Sequence, residues 1–320
     1  MNTGMNGALL HVDGIAFWSA AWPDWARAAV ALRDEAPAGS APAETAGTAE
    51  TAETADAPVA GGPRLRPAAA MLAPNERRRA PDSVLLALEV AQAAVADAGL
   101  ADAPPASVFT STHGDLAIVD ALCTTLAADP LLLSPTRFHH SVHNAASGYW
   151  AIASGSPHGS SALAQQHVGF AAGLFEAAAL CLADDRPVLL VALDTAASGR
   201  LAEVHGDHGL LAFALVLSPR RTPRSTVAMR LLPGPVGLAP ALRSRAARSL
   251  AGHAMADALP MAEALARLAV PAGLDGARGG LALDLPLDRQ IGGTGIAIQL
   301  ERLDDGDIRS AQDSGAGAQA

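Results

Sequence analysis

No lysine occurs in this chain: all 22 of its basic residues are arginine. Schiff-base enzymes, pyridoxal enzymes and P-loop nucleotidases are excluded, because each needs an ammonium on a flexible stem and a guanidinium does not deprotonate to act as a nucleophile. The glycine runs agree, since Gly292-Gly293-Thr294-Gly295 lacks the Lys-Ser/Thr of a phosphate cradle. Long hydrophobic runs are also missing. The longest, 188–193 and 210–217, fall well short of the roughly 20 residues a spanning helix requires. The start MNTGMNGALLHVDG has neither the basic nor the apolar region of a secretory leader, so a soluble cytoplasmic protein without a membrane span is expected. There is no block of five or more bases, and 32 acidic residues give a net charge of −10, which argues against nucleic acid as a partner. Cysteine is scarce. Cys123 and Cys181 sit in the apolar contexts ALCTTLA and AAALCLA and read as buried small hydrophobes in a reducing compartment. Aromatics make up only 3% of a chain that is 50% hydrophobic and about a quarter alanine, so small aliphatic side chains must fill the core through close helix and sheet packing.

What is present alternates between strand and helix patterns. Two segments read as non-core: residues 36–62, an Ala/Thr/Glu/Pro stretch too poor in large apolar residues to offset its ordering entropy, and the polar tail 304–320. The remainder, 1–35 and 63–303, reads as a single domain. Strands are expected at 9–17, 108–111, 188–193, 210–217, 227–232, 281–285 and 295–300. Helices are expected at 81–98, 115–127, 145–154, 168–182 and 255–268, with a His-rich loop ahead of residue 145. The continuously apolar run 188–193 implies a strand buried on both faces, hence a layered α/β domain with helices on both sides of a sheet.

Most candidate chemistry falls within RFHHSVHNAASGYWAIASGSPHGSSALAQQH, residues 137–167. His139 and His143 stand four apart with His140 and His158 nearby, a spacing that can hold a metal, but no Cys, Asp or Glu accompanies them, and no metal or other cofactor is expected. A serine hydrolase using Ser160 or Ser161 would need a G-x-S-x-G elbow, which Gly159-Ser160-Ser161-Ala162-Leu163 does not supply. His11, His113, His205 and His208 read as loop or strand-end histidines satisfied by backbone groups. Tyr149 and Trp150 read as buried anchors, and Arg77, Arg78 and Arg79 as a solvated run or a contact for an acidic partner.

From Asn75 onward the chain resembles the N-terminal half of a β-ketoacyl synthase, a condensing enzyme of the thiolase-like fold. It is most similar to the abbreviated synthase-like proteins of bacterial aryl polyene and dialkylresorcinol clusters. The segments carrying the resemblance are NERRRAP with LLALEVAQAAVADAGL, SVFTSTHGD, SVHNAASGYWAIASG, PVLLVALD and LLAFALVLSP, over residues 64–218, with IGGTGIAIQLER resembling the terminal Gly-Gly turn and last strand. The resemblance implies a layered α/β/α fold with an abbreviated C-terminal half. It also implies a dimer seam and tunnel at Asn144, Gly148, Tyr149, Trp150 and Phe170, and a carrier-protein contact at Arg77, Arg78 and Arg79.

A condensing enzyme holds its thiolate at the N-terminus of the helix after the Ser-Ala step, where helix amides lower its pKa. The matching position here falls on His167, twenty-three residues beyond Asn144, or on Leu163 if anchored on the Ser-Ala step, with Gln165 and Gln166 beside it. Neither residue is cysteine. The second half also lacks the family's H-G-T-G-T segment and its lysine, and His253 is its one histidine after Ser218. The resemblance therefore implies a non-catalytic subunit like a chain length factor, partnered by a catalytic β-ketoacyl synthase and an acyl carrier protein. An active acyltransferase or decarboxylase with a replaced nucleophile, and a binding module that has kept only the fold, remain the alternatives.

Overall fold

The computed structural model describes residues 7–35, 65–205, 208–269, 280–287 and 293–303. The insertion expected at 36–62 and the tail expected at 304–320 lie outside these residues. Among the described residues eight strands form one sheet: β1 (Ala8–Ser19), β2 (Ala106–Ser111), β3 (Ser160–Ala164), β4 (Val188–Asp194), β5 (Leu211–Ser218), β6 (Val227–Pro235), β7 (Leu281–Pro286) and β8 (Thr294–Arg302). The spatial order is β3-β2-β4-β5-β1-β6-β8-β7. β2 pairs in parallel with both β3 and β4, and every other pairing is antiparallel. The helices are α1 (Trp25–Arg33), α2 (Pro74–Arg79), α3 (Asp82–Asp97), α4 (Leu116–Ala128), α5 (Pro135–Ser141), α6 (Ala145–Ser154), α7 (Gly169–Asp184), α8 (Gly199–His205), α9 (Arg245–Ser249) and α10 (Leu259–Leu268).

The period-two geometry of a strand sends its apolar residues alternately to two cores. From β4, Val188, Leu190 and Ala192 enter the core under α7, α1 and α10, while Leu189, Val191 and Leu193 enter the one under α3 and α6. β5 divides the same way, and its second face is small: Ala212, Ala214 and Val216. Small residues let helices lie close. A Cβ on Gly14 would come within 2.1 Å of the Ala94 carbonyl, so α3 rests directly on β1. α3 has no side-chain cap, a device worth ~1 kcal/mol, yet nine of its residues are buried apolar ones, worth several times that in sum. Packing, not capping, holds this helix.

Most predicted elements appear within a residue or two of their expected ends. The His-rich segment is the clearest correction. Pro135 opens α5 and Ser134 accepts from the Arg137 amide, so His139 and His140 are helical rather than in a loop. The helix expected from residue 255 begins as a 3-10 turn at Ala256–Ala258, and α10 follows. β3 was not expected as a strand, because SSALA is short and polar at its start; the parallel register from Ser107↔Ser160 to Ser111↔Ala164 defines it.

Candidate functional site

The parallel strands β2, β3 and β4 all end at one rim of the sheet, where loops of α/β folds gather their ligand-binding groups. Between β3 and α7 the chain turns sharply, and His167 holds φ +67 there. A non-glycine residue in the left-handed region is uncommon, and such strain collects at functional turns. Gln165, Gln166 and His167 are exposed at this elbow. Of the two positions considered for the nucleophile, His167 is the one in the turn. Leu163 is a β3 residue, half-buried, lining a cavity under α6.

Other polar groups that sequence reading left scattered meet at the same rim. Asp194, at the end of β4, accepts from Ser111 Oγ (2.7 Å), the Thr112 amide (2.7 Å) and the His113 amide (3.1 Å). It thereby shapes the turn that leads from β2 into α4, while burial raises its pKa against these hydrogen bonds. The rings of His113 and His205 are 4.3 Å apart. Burial lowers the His113 pKa, the Asp194 charge opposes that, and His205 and His167 lower it further. His253 is buried and pushed down to about 4; its Nδ1 accepts from the Met255 amide, which leaves Nε2–H to donate to Gly209 O at 3.3 Å. The His208 ring lies 6.5 Å away. Asp257 accepts from the Phe170 (2.8 Å) and Ala171 (3.4 Å) amides at the start of α7, and burial raises its pKa to about 7. Asp194 directly follows the apolar run 188–193, a signal that could have marked it; Asp257 carries no such signal.

The residues assigned to a seam divide. Asn144, Gly148 and Ile152 share the exposed face of α6, with Ile152 85% exposed and open space beside Gly148. Tyr149 is half-buried with its hydroxyl 3.0 Å from His140 Nε2, and Trp150 is buried beneath. Phe170 is fully buried, its ring 5.6 Å from Phe213, in the interior of this chain. The cavity under α6, about 30 Å³, is bordered by Phe109, Leu163, Leu193, Ala146, His140 and His143, room for about two waters. His158 lies apart, beside Arg186, and Ser160 Oγ accepts from Ser107 Oγ within the sheet. Among the described residues no group of three or more His, Cys, Asp or Glu is placed to hold a metal. Cys181 is buried as expected, whereas Cys123 is exposed on α4, against expectation. An amphipathic helix can place a cysteine on its solvent face even when the flanking sequence is apolar. Arg77, Arg78 and Arg79 form the last turn of α2, and Arg77 and Arg78 line a shallow depression with Arg66.

Residues 49–269 match the family described as β-ketoacyl synthase, N-terminal domain. The chain belongs to that family. No curated protein matches it. Among solved structures, this β-ketoacyl synthase N-terminal domain protein is similar to the ketosynthase ApeO in complex with its chain length factor ApeC from Xenorhabdus doucetiae. That match has 19% identity and a TM-score of 0.58, over 92% of this chain and 99% of that one. It is also similar to the ishigamide ketosynthase/chain length factor, at 17% identity and a TM-score of 0.61, over 92% and 99%. A third is a type II polyketide ketosynthase with its acyl carrier protein, AntDE:AntF, at 10% identity and a TM-score of 0.60, over 93% and 100%. The synthase-like domain thus has the thiolase-like ketosynthase fold, with helices layered on a mixed sheet. No helix of the described residues is long and apolar enough to cross a membrane.

Proposed function

We propose that this chain is a non-catalytic, ketosynthase-like subunit, a chain length factor, that pairs with an active β-ketoacyl synthase on chains carried by an acyl carrier protein. Its setting would be aryl polyene, polyketide or fatty-acid-like biosynthesis in the cytoplasm. The observation that carries the reading is the elbow: the strand-turn-helix that would present a thiolate presents His167 instead. Neither thiol can substitute. Cys181 lies in the last turn of α7 with Sγ toward Leu217 O, and burial, then the charges of Asp13 and Asp185, push it up to about 12, so it is not ionised at neutral pH. Cys123 is on a different helix, α4, at the protein surface.

A subunit without a nucleophile can still wall a tunnel and limit a chain by side-chain bulk. The exposed face of α6 supports a pairing surface, and so does the outer edge of β3, beside which the described residues place no strand. Exposed Leu131 and Leu132, between α4 and α5, and Phe138 on α5 add apolar area of the kind that marks protein interfaces. Arg77, Arg78, Arg79 and Arg66 offer a cationic surface to an acidic carrier protein.

The test is co-expression with a tagged candidate synthase, followed by size-exclusion chromatography with mass detection. The expected result is a one-to-one complex whose condensing activity dies when the partner's cysteine is changed and survives His167→Ala in this chain. A stable monomer that ignores the synthase would sink the reading. A second reading, an acyltransferase or decarboxylase using His167 as nucleophile, draws on the exposed imidazole held at φ +67 near His113. It requires an acyl adduct on His167 by mass spectrometry after incubation with a reactive acyl thioester.

A further inference from the structure

Four of the chain's ten histidines meet in two pairs, and each pair joins the α8 region to the body of the domain. No residue of α8 is buried, so apolar packing does not hold it down. Polar contacts fasten it instead. At its start a Cβ on Gly199, which holds φ +53, would collide with the Asp120 carboxylate of α4. At its end the His205 ring lies 4.3 Å from that of His113, in the turn after β2. Just beyond it the His208 ring packs on Gly252, where a Cβ would come within 2.9 Å of Cε1, and lies 6.5 Å from the ring of His253. The same His253 donates from Nε2–H to Gly209 O.

The two body histidines suit only the neutral form. His253 is 5% exposed and its Nδ1 accepts from the Met255 amide at 3.1 Å, so a second ring proton would face a donor. Burial lowers its pKa to about 4, the Gly209 bond opposes that, and His208 lowers it again. For His113 burial is again the first cause, Asp194 on β4 opposes it, and His205 and His167 add to it. Asp194 already accepts from Ser111 Oγ and from the Thr112 and His113 amides. The other charged groups nearby are Asp120 at Gly199, the exposed Arg200 and Glu203 of α8 itself, and Asp257, whose Oδ2 accepts from Phe170 and Ala171. Neighbouring imidazoles repel when both are charged. A state that separates them and lets water in takes up protons near the ordinary histidine pKa, so falling pH favours it.

We propose that α8, together with His208 and Gly209, is an acid-released flap, clasped to the rim at neutral pH by the imidazole pairs His113–His205 and His208–His253 and freed when those pairs become charged. Its release uncovers the His113 turn beside the elbow. Two pairs on one short segment make the release cooperative, because freeing either exposes the other. The flap goes beyond the subunit reading and does not depend on it.

The test is amide exchange of the full chain at pH 7 and pH 5, each rate divided by the intrinsic rate at that pH. Protection across residues 201–205 should fall roughly tenfold or more at pH 5, the scale set by one histidine whose pKa returns from about 4 to 6.5 on release. β4 and β5 should keep theirs. His205→Phe combined with His208→Phe retains two rings and removes their charges, so its protection should fall several-fold less. If that variant fails to fold, the ring resonances of the native chain decide: His113, His205 and His208 should shift over the pH interval in which α8 loses protection. Unchanged protection at pH 5, an equal fall in the folded variant, a fall shared by β4 and β5, or ring shifts outside that interval would each overturn the flap. No synthase enters this experiment, so failure of the subunit reading is a separate result.

Discussion

At the residue scale, His253 and Asp257 lose their charges to burial in opposite directions, and the signs can be followed through pH. Asp257 rises from 3.8 to about 7, so its contribution to stability is full below about pH 4 and is lost as pH climbs through 7. His253 falls from 6.5 to about 4, so its contribution is full above 6.5 and is lost as pH drops toward 4. Between those limits the slopes oppose each other. Asp257→Asn leaves the histidine slope uncovered: urea unfolding should show the variant gaining on the order of 1 kcal/mol between about pH 5 and pH 7.5, against a flatter native profile. Equal slopes in the two proteins would refute this. The cysteines give a simpler check. Iodoacetamide at about pH 8 should label the native chain once, at Cys123, and a second time only in urea, because Cys181 is buried and protonated; intact mass reads both states.

At the scale of elements, the alanine-rich composition becomes close approach of helix to sheet. A Cβ on Gly173 would meet Thr110 Cγ2 at 2.8 Å and Leu190 Cδ1 at 3.0 Å, so α7 can lie this near β2 and β4 only with hydrogen at that position. Gly173→Ala should destabilise the fold by about 1–3 kcal/mol through overpacking, outweighing the gain of up to ~1 kcal/mol in helix propensity. Denaturant unfolding decides, and a more stable variant would contradict the packing argument. Helices with long apolar stripes, α3 and α7 above all, were legible because their spacing alone distinguishes them. β3 and α5 were not: each is short and partly polar, and exists because a neighbour pairs with it or a proline and a serine start it.

For the whole molecule, the proposed pairing can be tested on the exposed face of α6. Ile152→Glu should leave the urea midpoint within about 0.5 kcal/mol of the native value, as exposed substitutions usually do, while abolishing the one-to-one complex with the synthase on size exclusion. A complex that survives the charge would remove α6 from the seam.

The sequence by itself determined the family and the layering. Apolar runs at strand length and small-residue helices are local patterns, and burial on two faces follows from them. It also determined which chemistry is missing, because an absent lysine or a cysteine in the wrong helix needs no coordinates to be noticed. Only the tertiary structure decided which of two positions forms the elbow, since His167 and Leu163 differ by one backbone turn and not by composition. Only the fold, too, gathered His113, His205, His208 and His253 at one rim and laid Asp257 on α7. Those residues come from separate stretches of chain, and nothing in their local sequence encodes that parallel strands end side by side.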